Sequence, residues 1–392
     1  IGSAMVCLMT PALAFFYGGL GRRKNVINTM MMSVLPLAIA SLLWVVAGYS
    51  LSFGGQGYFF GNISHLFLHG VSETTSSRGL AIPDLLFAAF QMMFSIICVA
   101  ILTGSVVGRM RFTPLAMFVV FWLLLVYYPF AHMVWGDGIL AKWGTIDFAG
   151  GDVVHITSGV SALVLAIVVG KRRDYGILEH RPHNVPFVLL GASLLWFGWF
   201  GFNAGSALAA NGLAVRALAT THVSAAAAMF SWLALEKYVT GHPSLVGGST
   251  GLVVGLVAIW SAILIGAMVS PVCFYAISVL KKRFAYDDVL DAFGCHGVGG
   301  IFGGLVTAVF TTPNLALDKA NVGLIYGNAR LFVVTVLAII FTATWSGLVT
   351  YGIIKVIGHY IPLRVSDRDE AIGLDDCEHK ETAYPTFMGM DS

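Results

Sequence analysis

Charged side chains are scarce in this chain of 392 residues, in which Asp, Glu, Lys and Arg together account for 11%. An average soluble domain has about 25%. The net charge of +2 at pH 7 is too small to attract a polyanion, so nucleic acid is not an expected partner. Hydrophobic residues make up 57% of the chain, and the mean hydropathy is +0.83. This balance is typical of a protein that crosses a membrane several times.

The sequence also lacks the usual signs of an enzyme or of a metal protein. Its five cysteines are scattered without a CxxC pair, which argues against a disulfide framework and against a zinc site. No GxxxxGKS or HExxH run is present. No nucleophile, base and orienting group are found together at one depth in the membrane. We therefore predict neither an enzyme, nor a cofactor, nor a metal site.

Apolar stretches long enough to cross a bilayer recur along the whole chain. They are 1–20, 26–52, 83–107, 113–134, 152–170, 185–206, 213–235, 289–310 and 331–357. The first has no polar flank on its amino side, so we expect the chain to begin inside its first helix, which is truncated. The fold class predicted from this pattern is an all-α integral membrane protein.

Basic residues predict the orientation of these spans. They cluster after alternate spans, and 17 of the 22 Lys and Arg residues fall on one side, which the positive-inside rule makes cytoplasmic. Lys237 and Lys281 then share that side, so the apolar segment 245–280 must cross twice, with an outer turn near Ile259 and Trp260. The prediction is eleven transmembrane helices, with the N-terminus outside and the C-terminus in the cytoplasm.

Two histidines lie inside apolar runs, and each follows an aspartate and glycines. His155 comes after Asp147 in the fifth span, and His296 comes after Asp291 in the tenth. An ionisable group at membrane depth is costly, so these imidazoles are candidates for a transport path. Two other interpretations remain open from the residues alone. In one, the histidines are ordinary core residues that hydrogen-bond neighbouring carbonyls. In the other, they ligate haem as in b-type cytochromes.

The spacing of the two histidines predicts an internal repeat. Five spans per half make the halves inverted in the membrane, a pattern that recurs among transport proteins. We place the inverted five-helix repeats at about 1–170 and 185–311, and the long eleventh helix at 331–357 outside them. The membrane domain is thus 1–357, and residues 358–392 form a charged cytoplasmic tail.

A series of motifs makes a resemblance specific. In chain order they are FFYGGLGRRKN, FQMMFS, AHMVWGDG, DFAGGDVVHITSG, GKRR, PHNVP, FGWFGFNAGSALAAN, DAFGCHGVGGIFGG, GLD and AYP. In this order they resemble the ammonium transporter family (Amt/Mep, related to the Rh proteins), and bacterial-type Amt in particular. The resemblance extends from about residue 11 to residue 385, which is nearly the whole chain.

The resemblance implies roles for eight side chains. They are Phe94, Trp135 and Ser206 for an external ammonium site, Phe90 and Phe202 for a stacked gate, His155 and His296 for the in-line pore pair, and Asp147 for a supporting carboxylate. For Asp147 the sequence leaves a helix-capping role and direct participation open, and we favour the structural role.

The expected function is ammonium transport across the cytoplasmic membrane. Aromatic faces and a hydroxyl can recruit NH4+ from outside. Ammonium, unlike potassium, can then lose a proton and pass as NH3, with or without that proton, through a hydrophobic pore lined by the two histidines. The alternative is an ammonium sensor with little or no transport, which a signalling domain beyond Ser392 would favour.

The resemblance also implies the partners. The substrate is ammonium or ammonia, with methylammonium as a further candidate, and the protein is a multi-pass protein in the lipid bilayer of the cell membrane. It is implied to be a homotrimer with one pore in each subunit. The resemblance also implies a regulatory role for the cytoplasmic tail 358–392, with a PII-type signalling protein as its partner.

Overall fold

The structure is a computed structural model and describes residues 1–178, 181–256, 262–313 and 322–384. Eleven apolar helices follow one another in this part of the chain. They are α1 (Gly2–Leu20), α2 (Arg23–Phe53), α3 (Asp84–Ser105), α4 (Phe112–Trp143), α5 (Gly151–Val169), α6 (Val185–Gly205), α7 (Gly212–Thr240), α8 (Leu245–Leu256), α9 (Ala262–Phe284), α10 (Phe293–Phe310) and α11 (Arg330–Tyr360).

Ten of these described helices are long and apolar enough to cross a membrane, and α8, with 12 residues, is shorter. The all-helical class is confirmed, because the extended pairing in the described ranges is one isolated bridge between Met110 and Arg364. Helices α8 and α9 both pack on α7. The predicted turn near Ile259 and Trp260 lies outside the described residues, so the count of eleven crossings and the orientation stay predictions.

Glycines bring α5 and α10 close together at the level of the two histidines. A Cβ on Gly159 of α5 would overlap the backbone nitrogen of Gly297 of α10. A Cβ on Gly300 would lie 3.0 Å from the carbonyl oxygen of Gly151 and 3.0 Å from the Cβ of His155. Small residues allow such close approach of helices in a membrane. The glycines therefore allow α5 and α10 to approach closely at this level.

Five of the eleven apolar helices contain a wider π-helical turn, and four of these turns form a pattern. They lie at Leu123–Tyr127 in α4, Gly151–Ile156 in α5, Ala276–Leu280 in α9 and Phe293–Gly297 in α10. These are the fourth and fifth helices of each predicted repeat. Both histidines lie on such turns, which are frequent at functional sites.

Helix α10 begins four residues later than its predicted span. Asp291 adopts a left-handed conformation, with φ of 59°, which interrupts the helix at that point. The carboxylate of Asp288 accepts hydrogen bonds from the backbone N–H groups of Ala292 and Phe293 at 3.1 and 2.8 Å. Asp291 instead pairs with Lys281 at 2.6 Å. Asp288 therefore supplies the cap of α10.

The charged residues that follow α11 pack against loops at one end of the helical bundle. Glu370 makes two of these contacts. Its backbone oxygen accepts from Lys24 Nζ at 2.7 Å, and its carboxylate accepts from the backbone N–H of Arg173 at 2.8 Å. The N–H of Phe112, at the start of α4, donates to Glu378 at 3.0 Å. The tail thus joins three basic segments that the charge pattern assigns to one side.

Candidate functional site

A cavity of about 420 Å³ lies at the end of the bundle away from the tail. This cavity, the vestibule, is lined by the start of α3, the end of α4, the segment before α5 and the end of α6. Phe94, Trp135 and Ser206 all line it. The three residues predicted as a cation site are therefore brought together.

Hydrogen bonds fix the polar and aromatic groups of the vestibule in orientation. The indole N–H of Trp135 donates to the backbone oxygen of Asp147 at 2.8 Å, and its ring meets that of Phe94 edge-on at 6.0 Å. The Ser206 hydroxyl donates to the backbone oxygen of Phe202 at 2.8 Å. Because its proton is committed, the hydroxyl oxygen presents lone pairs to the cavity as an acceptor.

The stacked aromatic pair is Phe94 with Phe202, whose ring centroids are 4.2 Å apart at 21°. The resemblance placed Phe90 in this stack, and the structure corrects that assignment. The Phe90 ring meets Phe94 edge-on at 4.9 Å and fills the space that Gly2 and Gly205 leave open. Phe94 therefore lines the vestibule and also forms the stack with Phe202.

His155 and His296 lie behind this stack. Their Nδ1 atoms are 3.1 Å apart, and their rings are nearly parallel, at 7° with centroids 5.3 Å apart. They are 3% and 4% exposed. The His155 ring is 6.0 Å from that of Phe202. The two histidines of the predicted pair are therefore in contact with each other, and His155 lies next to the phenylalanine stack.

The contact between the two imidazoles restricts their protonation. One Nδ1 must carry the hydrogen and the other must accept it, so a single proton is shared at this position. Two imidazolium ions at 3.1 Å would place donor against donor and charge against charge. At most one ring is therefore charged, and the Nε2 atom of each ring remains for another partner.

Asp147 holds the start of α5 with both carboxylate oxygens. Its Oδ1 accepts from the N–H groups of Gly150 and Gly151 at 2.6 and 2.7 Å, and its Oδ2 accepts from Asp152 and Val153 at 2.9 and 3.1 Å. These are the donors that a helix N-terminus leaves unsatisfied. Gly150 allows the turn, because its φ of +105° is unfavourable for other residues.

Two further residues belong to the site although the sequence analysis did not select them. Trp199 on α6 stacks on His155 at 5.6 Å and 8°, and it lies three residues before Phe202 on the same helical face. Gln91 lines the vestibule, and its buried Oε1 has no hydrogen-bond partner among the described residues. A polar residue beside Phe90 in an apolar run was the available signal for Gln91.

Comparison with known proteins gives matches over nearly the entire length. A model of the Ammonium Transporter Family matches residues 1–384. An ammonium transporter of Bacillus subtilis is 43% identical over 393 residues, which cover 98% of this chain and 96% of that protein. The structure of Saccharomyces cerevisiae Mep2 is similar with a TM-score of 0.86, at 32% identity, over 93% of this chain and 86% of that one. A structure described as a sensor Amt protein is similar with a TM-score of 0.89, at 29% identity, over 96% of each chain.

Proposed function

The chain belongs to the ammonium transporter family, and from this premise we propose that it carries ammonium across the cell membrane, in which it is a multi-pass protein. The observation that carries the proposal is the order of groups along one line. The vestibule, which can bind a cation, comes first. The phenylalanine stack follows, and behind it lie two histidines of which at most one is charged. This order suits a cation that can give up its charge.

Recruitment takes place in the vestibule. The faces of Trp135 and Phe94 attract a cation by about 0.5–2 kcal/mol, depending on how far it is desolvated. The Ser206 oxygen accepts one N–H of the ion, since its own proton is bonded to Phe202. Gln91 supplies a second acceptor from a buried carbonyl oxygen. These groups concentrate ammonium without replacing all of its water.

The stack of Phe94 and Phe202 then selects against charge. Moving an ion into apolar membrane surroundings costs at least about 2.5–3.5 kcal/mol, and potassium has no way to avoid this cost. Ammonium can leave a proton behind and continue as neutral ammonia. Loss of the proton is therefore the step that separates the two cations, which are similar in size and charge.

Ammonia passes the histidine pair as a hydrogen-bonded guest. Because the imidazoles share one proton through Nδ1, one Nε2 is protonated and the other bears a lone pair. Ammonia can accept from the first and donate to the second without either ring becoming charged. Whether the released proton follows the same path decides between net NH4+ transport and NH3 conduction.

The wider architecture is part of the same proposal. We infer eleven crossings in two inverted five-helix repeats plus α11, with the N-terminus outside and the tail in the cytoplasm. The paired π-helical turns and the contacts of the tail with basic loops support this arrangement. A homotrimer and a PII-type partner at the tail are inferred from family membership.

The test is the current that an ammonium pulse evokes from purified protein in liposomes on a solid-supported membrane. A double variant, His155→Ala with His296→Ala, is measured beside the unaltered protein. We expect a transient current from the unaltered protein and, from the variant, either its loss or a new potassium current. A variant that keeps the current and its selectivity would refute the role of the histidines.

An ammonium sensor is the second candidate, favoured by the similarity to the sensor Amt structure. It would use the same vestibule to bind ammonium with little or no passage. A pH-sensitive dye inside the same liposomes separates the two functions. Ammonium binding without a current and without a change of internal pH would support the sensor and refute transport.

A further inference from the structure

A second, smaller cavity lies beside His155, and the route described above does not use it. This cavity, the side chamber, has a volume of about 50 Å³. Each enclosed water needs about 10–15 Å³ of such space, so the chamber can hold more than one molecule of the size of water or ammonia. It shares Ile146, Asp147 and Phe148 with the vestibule, and Phe202 and His155 also line it.

Asp152 lines the side chamber, and one oxygen of its carboxyl group lacks a hydrogen-bond partner among the described residues. The residue is 6% exposed, and its Oδ1 accepts no hydrogen bond from the part of the chain that the structure describes. The Thr342 hydroxyl on α11 faces the carboxyl without completing a hydrogen bond of ordinary geometry. A buried carboxyl oxygen with no partner is costly. Its natural complement is a small donor inside the chamber.

No cation of the protein neutralises this carboxyl within the described residues. The chamber lining contains no Lys or Arg there. The titratable groups near Asp152 include Asp147 before it on the chain, His155 one turn further along α5, His296 of α10, which is hydrogen-bonded to His155, and Cys98 of α3, whose thiol contacts the backbone oxygens of Val153 and Val154. The side chains that α6, α10 and α11 add nearby are uncharged, namely Asn203, Thr307 and Thr342.

We propose that Asp152 accepts the proton that ammonium releases before ammonia reaches the histidine pair. The inference rests on the proposed transport function. In this step an N–H bond of ammonium breaks and its electron pair stays on nitrogen, which gives NH3. An O–H bond forms on the carboxylate, which becomes a neutral carboxylic acid. Both charges disappear together, so two neutral groups stand where the apolar interior would penalise ions.

The other basic groups of the site are less suited to this step. Both oxygens of Asp147 are occupied by four backbone N–H groups, so a proton there would displace a helix cap. The Nδ1 atom of His155 is bonded to His296, and a charged ring beside a second imidazole is unfavourable. Asp152 has an open oxygen next to both the phenylalanine stack and His155.

The experiment is an infrared difference spectrum of the membrane-reconstituted protein with ammonium against the same protein with potassium. Potassium cannot donate a proton, so it controls for cation binding. We expect ammonium alone to produce the carbonyl stretch of a protonated carboxylic acid. The band should vanish in Asp152→Asn, shift in Asp152→Glu, and persist in Asp367→Asn, which removes an exposed carboxylate from the tail.

Currents from the same preparations complete the test. Asp152→Asn should lower the ammonium-evoked current by about 100-fold, the lower end of what a positioned proton-transfer group contributes. Its current should also lose the pH dependence that the unaltered protein shows. Asp367→Asn should keep both.

The outcomes separate this inference from the proposed function. An active unaltered protein that gives no carboxylic acid band, or an Asp152→Asn variant with full current, would overturn the role of Asp152 and leave transport intact. An unaltered protein that passes neither current nor ammonia would overturn the transport proposal itself. Should Asp152→Asn fail to fold, the unaltered protein and Asp152→Glu still decide, because the band must appear in one and shift in the other.

Discussion

Replacing Asp147 by alanine should destabilise the protein, because it removes the hydrogen bonds that hold the start of α5. The change removes the acceptors of four backbone N–H groups, at 2.6, 2.7, 2.9 and 3.1 Å. A hydrogen bond to a charged group contributes about 1.5–3 kcal/mol. The four are not independent, because they share one charge and Asp147 is partly exposed to the vestibule, where water can replace it.

We therefore expect Asp147→Ala to lower the free energy of unfolding by about 2–4 kcal/mol, above the ~0.5–2 kcal/mol of a single N-cap residue. The ammonium-evoked current should fall as well. Loss of the cap would let the backbone at residue 147 shift, and the oxygen of that backbone holds the Trp135 indole. Unfolding in mixed detergent micelles by titration with sodium dodecyl sulfate, followed by tryptophan fluorescence, measures the change.

Asp137→Asn is the matched control for Asp147→Ala. Its carboxylate is 75% exposed and lies 3.8 Å from Arg78 at the edge of the same region. Such an exposed pair contributes about 0–1 kcal/mol. If Asp147→Ala unfolded with the same midpoint as Asp137→Asn, the four bonds would carry no stability and the capping argument would fail.

Two further predictions concern the helix crossing and the tail side. Gly159→Ala should abolish transport and lower the free energy of unfolding by about 1–3 kcal/mol, because the new Cβ would overlap Gly297. Gly347→Ala is the control, because its Cβ would be 3.5 Å from its nearest neighbour. The control should be tolerated in the same current and unfolding assays. Burial raises the pKa of Asp287, but the hydrogen bond from Arg172 and the charges of Arg109 and Arg172 outweigh it, so the pKa is lowered. The pair therefore stabilises the fold above the ordinary carboxyl pKa of about 3.9, and this contribution disappears as the pH falls through the lowered value. Unfolding midpoints measured over pH should decline less steeply for Asp287→Asn than for the unaltered protein, and parallel declines would refute the assignment.

The sequence predicted the helices and the histidine pair well, because both depend on strong local signals. Apolar runs fix where helices can cross. The predicted bounds agree with α1, α2, α3, α5 and α6 within three residues, whereas α4 and α7 extend nine and five residues beyond their predicted ends. A polar residue among glycines in such a run, as at His155 and His296, is conspicuous without any knowledge of packing. The family resemblance implied that the two histidines form an in-line pair, and their Nδ1 atoms are 3.1 Å apart.

The details that the sequence did not predict depend on which neighbour fills a space. Phe90 and Phe94 lie one turn apart on α3 and have the same chemistry. Only the gap beside Gly2 and Gly205 decides that Phe90 packs there, so that Phe94 takes the stack. The cap of α10 likewise depends on local geometry. Asp291 has a left-handed backbone, and the carboxylate that accepts from the first N–H groups of the helix is that of Asp288.

The contrast between Asp147 and Asp152 explains how one helix start can be both rigid and reactive. The backbone N–H groups of α5 point at Asp147 and satisfy its charge, and this fixes the wall between the vestibule and the side chamber. The same capping uses the N–H of Asp152 but leaves its carboxyl oxygen unsatisfied inside the chamber. Asp152→Asn would keep the shape of the side chain and remove the proton acceptor. Asp147→Asn would turn an NH2 group toward two backbone N–H donors. The first exchange should therefore impair transport at nearly full stability, and the second should impair both.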